Sequence, residues 1–199
     1  MGDPDYPPEA YGELNEGIRE ILITSEGTNA RVMEMGIAIS RDYESCNPLL
    51  VGVLKGVVPF MAALLPVITI LVEVDFMAVS GYGPGAATDK GVRLEKDLGM
   101  AVAGRHVLFV EDVIDTGLTL NYLLRNLKVR RPASLKVCAL FNRSRRRLID
   151  IPSTYVGFEL PDLFVVGYGL DYREIYLNLP FVGLLKPDVF QPDETCQGE

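Results

Sequence analysis

The sequence predicts an α/β fold whose centre is a doubly wound, mostly parallel sheet. Two continuous apolar runs, residues 49–54 and 107–110, have the composition of strands that are buried on both faces. Each run is followed by a turn and then by a pattern typical of a helix. Because strands that alternate with helices form parallel sheets, these units predict one open sheet with helices on its faces.

The chain has 199 residues, which is enough for one α/β domain with a sizeable core. We expect a loose tail at residues 1–16, a single domain at 17–190 and a second tail at 191–199. The net charge of −8 argues against general binding to nucleic acid or to an anionic membrane. The cysteines are few and scattered, and no signal peptide or membrane span is visible, so we expect a cytoplasmic protein.

Short local patterns predict the first elements. Residues 21–23 are expected to form an edge strand, and Thr24 or Ser25 is expected to cap a helix that ends near Tyr43. The first apolar strand comes next and leads into a helix from about Pro59, because proline is favoured in the first turn of a helix.

A third strand is predicted at residues 72–79, and residues 92–94 return antiparallel to it. The segment between them is long and rich in glycine, and it contains Gly81 and Tyr82. Such a segment cannot pack on its own, so it predicts a flexible lid hairpin that closes over a reaction and excludes water. An ordinary hairpin tip is the alternative on composition alone.

The stretch at residues 107–121 carries the strongest functional signal. Its apolar strand ends in two adjacent carboxylates, Glu111 and Asp112, and a small polar turn at residues 115–119 leads into the next helix. The spacing of four leucines predicts that one face of this helix packs on the sheet. These leucines are Leu120, Leu123, Leu124 and Leu127.

The small polar turn has the properties of a phosphate site. The first turn of a helix presents unpaired N–H groups and the positive end of the helix dipole. Gly117 permits close approach of the backbone, and the hydroxyls of Thr116 and Thr119 add donors. Glu111 and Asp112 beside such a site are suited to sugar hydroxyls or to a magnesium ion, so they predict a phosphorylated sugar as ligand. The alternative is a strand end and a helix cap without a ligand.

A second strand–turn–helix unit carries Lys55 and Gly56 in its turn. Ligands of open α/β sheets bind at the carboxyl ends of the strands. We therefore expect Lys55 at the same edge as Glu111 and near a pyrophosphate, although an exposed lysine at a turn is the alternative.

The C-terminal half continues the alternation of elements. Four further strands are predicted, at residues 134–141, 155–158, 164–167 and 179–185. An arginine-rich segment at residues 142–147 follows the first of them. Because the chain as a whole is acidic, we interpret this segment as a solvated turn and not as an RNA site.

Five segments resemble the bacterial hypoxanthine-guanine phosphoribosyltransferases of the type I phosphoribosyltransferase family: LLVGVLKGVVPF, VEVDFMAVSGYG, VLFVEDVIDTGLTL, YVGFELPDLFVVGYGLDY and NLPFVGLLKP. The resemblance covers about residues 20–190. It implies transfer of a phosphoribosyl group from 5-phosphoribosyl 1-pyrophosphate (PRPP) to N9 of hypoxanthine or guanine, with Mg²⁺ as cofactor and pyrophosphate as the second product. It also implies a small hood from the chain ends and a homodimer or homotetramer.

The resemblance implies site residues where this sequence matches the family. Asp115 is implied as the catalytic group that handles a proton at purine N7. The implied PRPP and nucleotide ligands are Lys55, Gly56, Glu111, Asp112, Val113, Asp115, Thr116, Gly117, Leu118 and Thr119. The implied purine contacts are Arg143, Phe164 and Val165. The implied magnesium ligands are Glu111, Asp112 and Asp171, and the implied lid residues are Gly81 and Tyr82.

Three positions depart from the family pattern. Arg143 stands where a lysine usually reads purine O6, and Gly81 precedes Tyr82 where a serine is usual. Leu177 stands where an arginine usually lies near pyrophosphate, and the nearby Arg173 is an open candidate for that cation. These departures leave two alternatives: an enzyme for a modified or non-standard base, and a non-catalytic regulator that senses PRPP or a nucleotide.

Overall fold

The structure is a computed structural model that describes residues 11–80 and 92–190. The chain divides into two compact units. The large unit is Arg31–Asp162, and the small unit combines the two chain ends, Met1–Ala30 and Leu163–Glu199. A separate unit made of the chain ends agrees with the hood that was expected from them, although the sequence predicted one domain over residues 17–190.

The described residues form nine strands, five α-helices and two 3₁₀ turns, Leu65–Val67 and Ser144–Arg146. The strands are β1 (Ile18–Ile23), β2 (Leu49–Leu54), β3 (Glu73–Ser80), β4 (Arg93–Lys96), β5 (His106–Ile114), β6 (Ser134–Asn142), β7 (Tyr155–Glu159), β8 (Val165–Val166) and β9 (Val182–Leu185). The helices are α1 (Glu13–Glu16), α2 (Ser25–Asp42), α3 (Val57–Leu64), α4 (Leu118–Val129) and α5 (Pro187–Phe190). None of the helices that the structure describes is long and apolar enough to cross a membrane.

The large unit contains a six-stranded sheet with the order β4-β3-β2-β5-β6-β7. Every neighbouring pair in it is parallel except β4, which runs antiparallel to β3. This sheet confirms the predicted fold class. It also places β5, the strand with the strongest functional signal, next to the centre, where both of its edges are paired.

Helices cover both faces of the large sheet. Successive side chains of a strand point to opposite faces, and a Cβ atom at Gly52 of β2 would lie 2.9 Å from Val57 of α3. The neighbouring Val51 belongs instead to the core cluster that contains Leu123 and Leu127 of α4. Helices α3 and α4 therefore lie on opposite faces, and the sheet is doubly wound as predicted.

The packing of α4 fixes the position of its N-terminus. The four leucines that the sequence predicted for its apolar face are all buried: Leu120, Leu123, Leu124 and Leu127. Burial of a leucine side chain stabilises a fold by about 1.5–3 kcal/mol, so these contacts hold the whole helix against the sheet. Val129, the last residue of α4, is 81 % exposed and takes no part in this face.

The small unit has its own antiparallel sheet with the order β1-β9-β8. Its core cluster consists of Ile18, Val166, Tyr176, Leu179, Phe181 and Leu185. The ring of Tyr11 packs edge-on against Phe181, with 5.4 Å between the ring centroids. Tyr11 and Leu14, which lie in the segment predicted as a loose tail, pack against this core. Residues 1–10 lie outside the described part of the chain.

Helix α2 begins with a side-chain cap. The N–H of Gly27 donates a hydrogen bond to Oγ1 of Thr24 at 3.1 Å. Of the two capping residues that the sequence offered, Thr24 therefore makes the contact, and it satisfies one of the N–H groups that a helix N-terminus leaves unpaired.

Candidate active site

Strand β5 carries the two predicted carboxylates. The sequence placed the end of this strand at the carboxylates, but β5 continues beyond both of them to Ile114. That prediction was wrong because the end of β5 depends on its partner strand. β6 is equally long, and ladder pairs join Glu111 with Ala139 and Ile114 with Asn142. The carboxylates are therefore held in a rigid strand and not in a loop.

The turn between β5 and α4 has a geometry that requires glycine. Gly117 adopts a φ of 83° at the N-cap of α4. A Cβ atom there would lie 2.8 Å from the carbonyl oxygen of Ile149. Any residue other than glycine at this position would therefore have both backbone strain and a steric clash. The hydroxyl of Thr116 accepts a hydrogen bond from the N–H of Leu118 at 3.4 Å.

A cavity of about 350 Å³ lies where β5 leads into α4. It is lined by Glu111, Asp112, Val113, Ile114, Asp115, Thr116, Gly117, Thr119 and Leu120. Of the PRPP ligands predicted for this stretch, only Leu118 does not line the cavity, and its side chain is 40 % exposed. The cavity thus combines the N-terminus of a helix, which suits an anion, with carboxylates that suit hydroxyls or a cation.

Glu111 is a buried carboxylate with one unsatisfied oxygen in the described part of the chain. The residue is 9 % exposed, and its Oε2 has no hydrogen-bond partner among the residues that the structure describes. Burial, and after it the charge of Asp112, raises the pKa of Glu111 well above its ordinary value. A buried polar group without a partner is costly, so Glu111 has the property expected of a group that a ligand completes.

The acidic pair offers a partial site for a divalent cation. The described residues contain no group of three or more His, Cys, Asp or Glu side chains placed to hold a metal ion. Glu111 and Asp112 nevertheless supply carboxylate oxygens, which are the ligands that Mg²⁺ prefers. The unpaired Oε2 of Glu111 fits such an ion. A cation held there would need further oxygens from a bound substrate.

Asp115 lies beside two arginines from the segment after β6. Its Oδ2 is 3.8 Å from Nη1 of Arg143 and 3.7 Å from Nη1 of Arg146. Nε of Arg146 also donates to Oδ1 of Asp162, which lies just beyond β7. The sequence predicted Arg143 as a site residue but missed Arg146 and Asp162, because it interpreted the arginine-rich segment as a solvated turn.

Arg143 is the more enclosed of the two arginines. Its side chain is 12 % exposed, against 40 % for Arg146. Burial lowers the pKa of Arg143, and the charge of Asp115 opposes that effect. The Nε of Arg143 is buried without a hydrogen-bond partner in the described part of the chain.

Backbone hydrogen bonds join the arginine-rich segment to the loop of the cavity. The N–H of Arg143 donates to the carbonyl oxygen of Ile114 at 3.0 Å. The N–H groups of Leu148 and Ile149 both donate to the carbonyl oxygen of Thr116, at 2.9 Å and 3.2 Å. Arg143 and the two residues that follow the segment therefore support the loop at residues 114 and 116.

Lys55 and Gly56 lie at the same sheet edge as the acidic pair. They follow Leu54, the last residue of β2, and α3 begins directly after them. β2 is parallel to β5, with Gly52 opposite Val110, so the end of β2 lies level with the carboxylates. Lys55 is exposed and Gly56 is half-buried. The sheet edge at which the sequence predicted both Lys55 and Glu111 therefore lies within the large unit.

The predicted purine contacts other than Arg143 belong to the small unit. Phe164 precedes β8 and is 37 % exposed, and its ring stacks on Phe190 with 4.8 Å between centroids and 14° between planes. Val165 is 3 % exposed and pairs with Leu184 of β9. The side chain of Val165 is therefore enclosed within the small unit.

Asp171 also belongs to the small unit and is exposed in a turn. Its Oδ2 accepts a hydrogen bond from the N–H of Glu174 at 2.8 Å. The guanidinium of Arg173 lies over the ring of Tyr172, 5.1 Å from its centroid. The predicted lid residues Gly81 and Tyr82 lie outside the described residues.

The mostly parallel sheet, with a helix N-terminus at its carboxyl edge, is typical of α/β proteins that bind phosphorylated ligands. Residues 23–173 match the phosphoribosyl transferase domain. The chain therefore belongs to the phosphoribosyltransferase family.

Individual relatives agree with this assignment. The hypoxanthine-guanine phosphoribosyltransferase of Bacillus subtilis is 44 % identical over 178 residues, which are 89 % of this chain and 99 % of that protein. The enzyme of the same name from Streptococcus agalactiae is 46 % identical over 177 residues, 89 % of this chain and 98 % of that protein. A crystal structure of a hypoxanthine phosphoribosyltransferase from Staphylococcus aureus is 39 % identical, with a TM-score of 0.86 over 90 % of this chain and 98 % of that one.

Proposed function

We propose that this protein is a purine-salvage enzyme that transfers the 5-phosphoribosyl group of PRPP to N9 of hypoxanthine or guanine. The products are IMP or GMP and pyrophosphate. The observation that carries the proposal is the cavity at the end of β5. Glu111, Asp112, Asp115 and the N-terminus of α4 all line it. Two relatives that align over 89 % of this chain, and over 99 % and 98 % of their own lengths, are named for this activity.

PRPP would lie across the carboxyl ends of β5 and β2. Its 5′-phosphate would occupy the turn from Asp115 to Thr119, where Thr116, Gly117 and Leu118 offer hydroxyl and backbone donors. Glu111, Asp112 and Val113 would face the ribose. Lys55 and Gly56 would contact the pyrophosphate from the neighbouring turn. This arrangement uses local donors, so it does not conflict with the net charge of −8.

Magnesium is the proposed cofactor. Glu111 and Asp112 would hold it together with oxygens of PRPP, and the resemblance implies Asp171 as a further ligand. When bound, Mg²⁺ stabilises the charge that develops on the departing pyrophosphate. The unpaired oxygen of Glu111 supports this role.

The chemical step breaks the bond between C1′ and the pyrophosphate oxygen and forms the bond between C1′ and N9. A purine that attacks through N9 must lose its N7 proton, and Asp115 is the proposed acceptor. Arg143, 3.8 Å from Asp115, would lie beside purine O6. Phe164 would stack on the base, and Val165 would meet its exocyclic edge through the backbone. Gly81 and Tyr82 would close as the lid.

The remaining partners and the location also belong to the proposal. We expect a homodimer or homotetramer in the cytoplasm, without a nucleic-acid or membrane partner. The free thiols of Cys46 and Cys138 support a reducing compartment. Sedimentation equilibrium of the full chain measures the oligomeric state directly, and a monomer at all accessible concentrations would contradict this part of the proposal.

The deciding experiment supplies the protein with PRPP, Mg²⁺ and one base at a time: hypoxanthine, guanine, xanthine, adenine, uracil or orotate. We expect pyrophosphate release with IMP or GMP from the first two. The variant Asp115→Asn keeps the shape of the side chain but cannot accept the proton, so it should lose about 10²-fold or more in kcat. Turnover only with other bases would favour an enzyme for a non-standard base. Tight PRPP binding without any turnover would favour the regulator.

A further inference from the structure

The arginine-rich segment after β6 contains a charged group that the proposed function does not use. Arg146 lies between two carboxylates that are distant in sequence. Its Nη1 is 3.7 Å from Oδ2 of Asp115, and its Nε donates to Oδ1 of Asp162. The hydrogen bond to Asp162 and the attraction of Asp115 both favour the charged form of Arg146, so its pKa is raised.

The two oxygens of Asp115 have different surroundings. Oδ1 is buried and has no hydrogen-bond partner within the described residues. The side chain as a whole is 41 % exposed, so the exposed oxygen is Oδ2. Both neighbouring guanidinium groups approach Oδ2. The oxygen that is open to a ligand is therefore the one that the arginines hold.

The network contributes orientation and little stability. The side chains of Asp115, Arg146 and Asp162 are 41 %, 40 % and 49 % exposed, and ion pairs of such exposure add little to the free energy of unfolding. A guanidinium that is fixed at one end by Asp162 nevertheless restricts where its other end can lie. Proton transfer depends on the position of the accepting oxygen to within a fraction of an ångström.

We infer that Arg146, anchored by Asp162, is a positioning residue that holds Oδ2 of Asp115 in the orientation required for proton transfer with the purine. This inference rests on the proposed function. The observed contacts of Arg146 are with Asp115 and Asp162, so its inferred role requires no contact with a substrate. It acts through Asp115, whereas Arg143 holds the same oxygen from the enclosed side of the site.

The kinetic test compares Arg146→Gln with Arg145→Gln. Arg145 is a matched control, because it lies in the same 3₁₀ turn, Ser144–Arg146, is exposed and makes no ion pair in the described part of the chain. We expect Arg146→Gln to lower kcat for hypoxanthine by about tenfold, because Arg143 still restrains Asp115. The KM for PRPP should change less than about twofold, because the phosphate loop is untouched. Arg145→Gln should match the wild type in both.

Two further variants separate positioning from a general structural effect. Arg146→Lys retains the charge but can reach only one carboxylate well, so it should recover part of the lost kcat. Asp162→Asn should lower kcat in the same direction, and the double variant Arg146→Gln/Asp162→Asn should be no slower than Arg146→Gln alone, since both act through one network. Equal kcat for Arg146→Gln and Arg145→Gln, or additive losses in the double variant, would overturn the inference.

A crystal structure of Arg146→Gln beside the wild type tests the positioning without relying on turnover. We expect one orientation of the Asp115 carboxylate in the wild type and two or more in the variant. An unchanged carboxylate in the variant would overturn the inference even if the enzyme is active. Failure of the wild type to make IMP or GMP would instead overturn the proposed function, and the crystallographic comparison would still decide whether Arg146 orients the Asp115 carboxylate.

Discussion

The burial of Glu111 predicts how stability depends on pH. Its pKa is raised in the folded protein. The contribution of Glu111 to the unfolding free energy is therefore fully present below its unfolded-state pKa and is lost as pH rises through its folded-state pKa. Each unit of the increase costs about 1.4 kcal/mol of unfolding free energy at high pH. We expect Glu111→Gln to raise the unfolding free energy of the ligand-free protein at alkaline pH and to flatten its pH dependence, measured by urea unfolding.

The control for this prediction is Glu44→Gln, which removes an exposed carboxyl group outside the cavity and should not reproduce the gain in unfolding free energy. The same Glu111→Gln variant should bind PRPP more weakly in the presence of Mg²⁺, because it removes a charge from the acidic pair. If Glu111→Gln instead lowered the unfolding free energy at every pH, the Glu111 carboxylate would be satisfied by contacts within the fold.

Gly117 allows strain and clash to be separated experimentally. Gly117 and Gly104 both have positive φ, 83° and 72°, but a Cβ at Gly117 would meet Ile149 at 2.8 Å whereas a Cβ at Gly104 would have no described atom within 4 Å. Gly104→Ala should therefore cost only about 1–2 kcal/mol of backbone strain. Gly117→Ala should cost more and should also abolish PRPP binding, measured by calorimetry. Equal losses of unfolding free energy in the two variants would contradict the steric clash expected at Gly117.

At the scale of elements, α4 links the core to the site, because its apolar face is buried while its N-terminus lines the cavity. Leu123 is 0 % exposed, so Leu123→Ala should reduce the unfolding free energy by about 2–5 kcal/mol through lost burial and a cavity. Val129→Ala, at the 81 % exposed end of the same helix, should change it by less than about 0.5 kcal/mol. Guanidinium unfolding of both variants makes the comparison, and similar losses would contradict the packing described for α4.

Elements whose pattern lies within a short stretch of sequence were predictable. The boundaries of elements, which depend on contacts with other elements, were not. The spacing of Leu120, Leu123 and Leu127 lies within one helix, so the sequence alone indicated which face of α4 is buried. The end of β5 was missed because it is determined by pairing with β6. Arg146 was missed for a similar reason, since its partner Asp162 follows a further strand and loop. Contacts between separate elements decide such features, and local patterns do not record them.

At the scale of the whole molecule, the chain ends also make contacts that local sequence patterns do not record. β1 and β9 pair across most of the chain length, which no local window can reveal. The family resemblance supplied the expectation of a hood where periodicity could not. The position of the site at the carboxyl edge of the parallel sheet was predictable, because it follows from a rule about topology and not from a contact between side chains.

The acidic character of the whole molecule predicts that PRPP and magnesium stabilise it together. At a net charge of −8, and with Glu111 and Asp112 lining the cavity, a polyanion should bind poorly unless a cation accompanies it. PRPP with Mg²⁺ at about 100 times its Kd should add about 2.7 kcal/mol to the unfolding free energy. PRPP with a chelator, and Mg²⁺ alone, should each give a much smaller increase in Tm by calorimetry. An equal shift with PRPP in the chelator would mean that Lys55 and the helix N-terminus bind PRPP without a metal, and that the acidic pair contacts only the sugar.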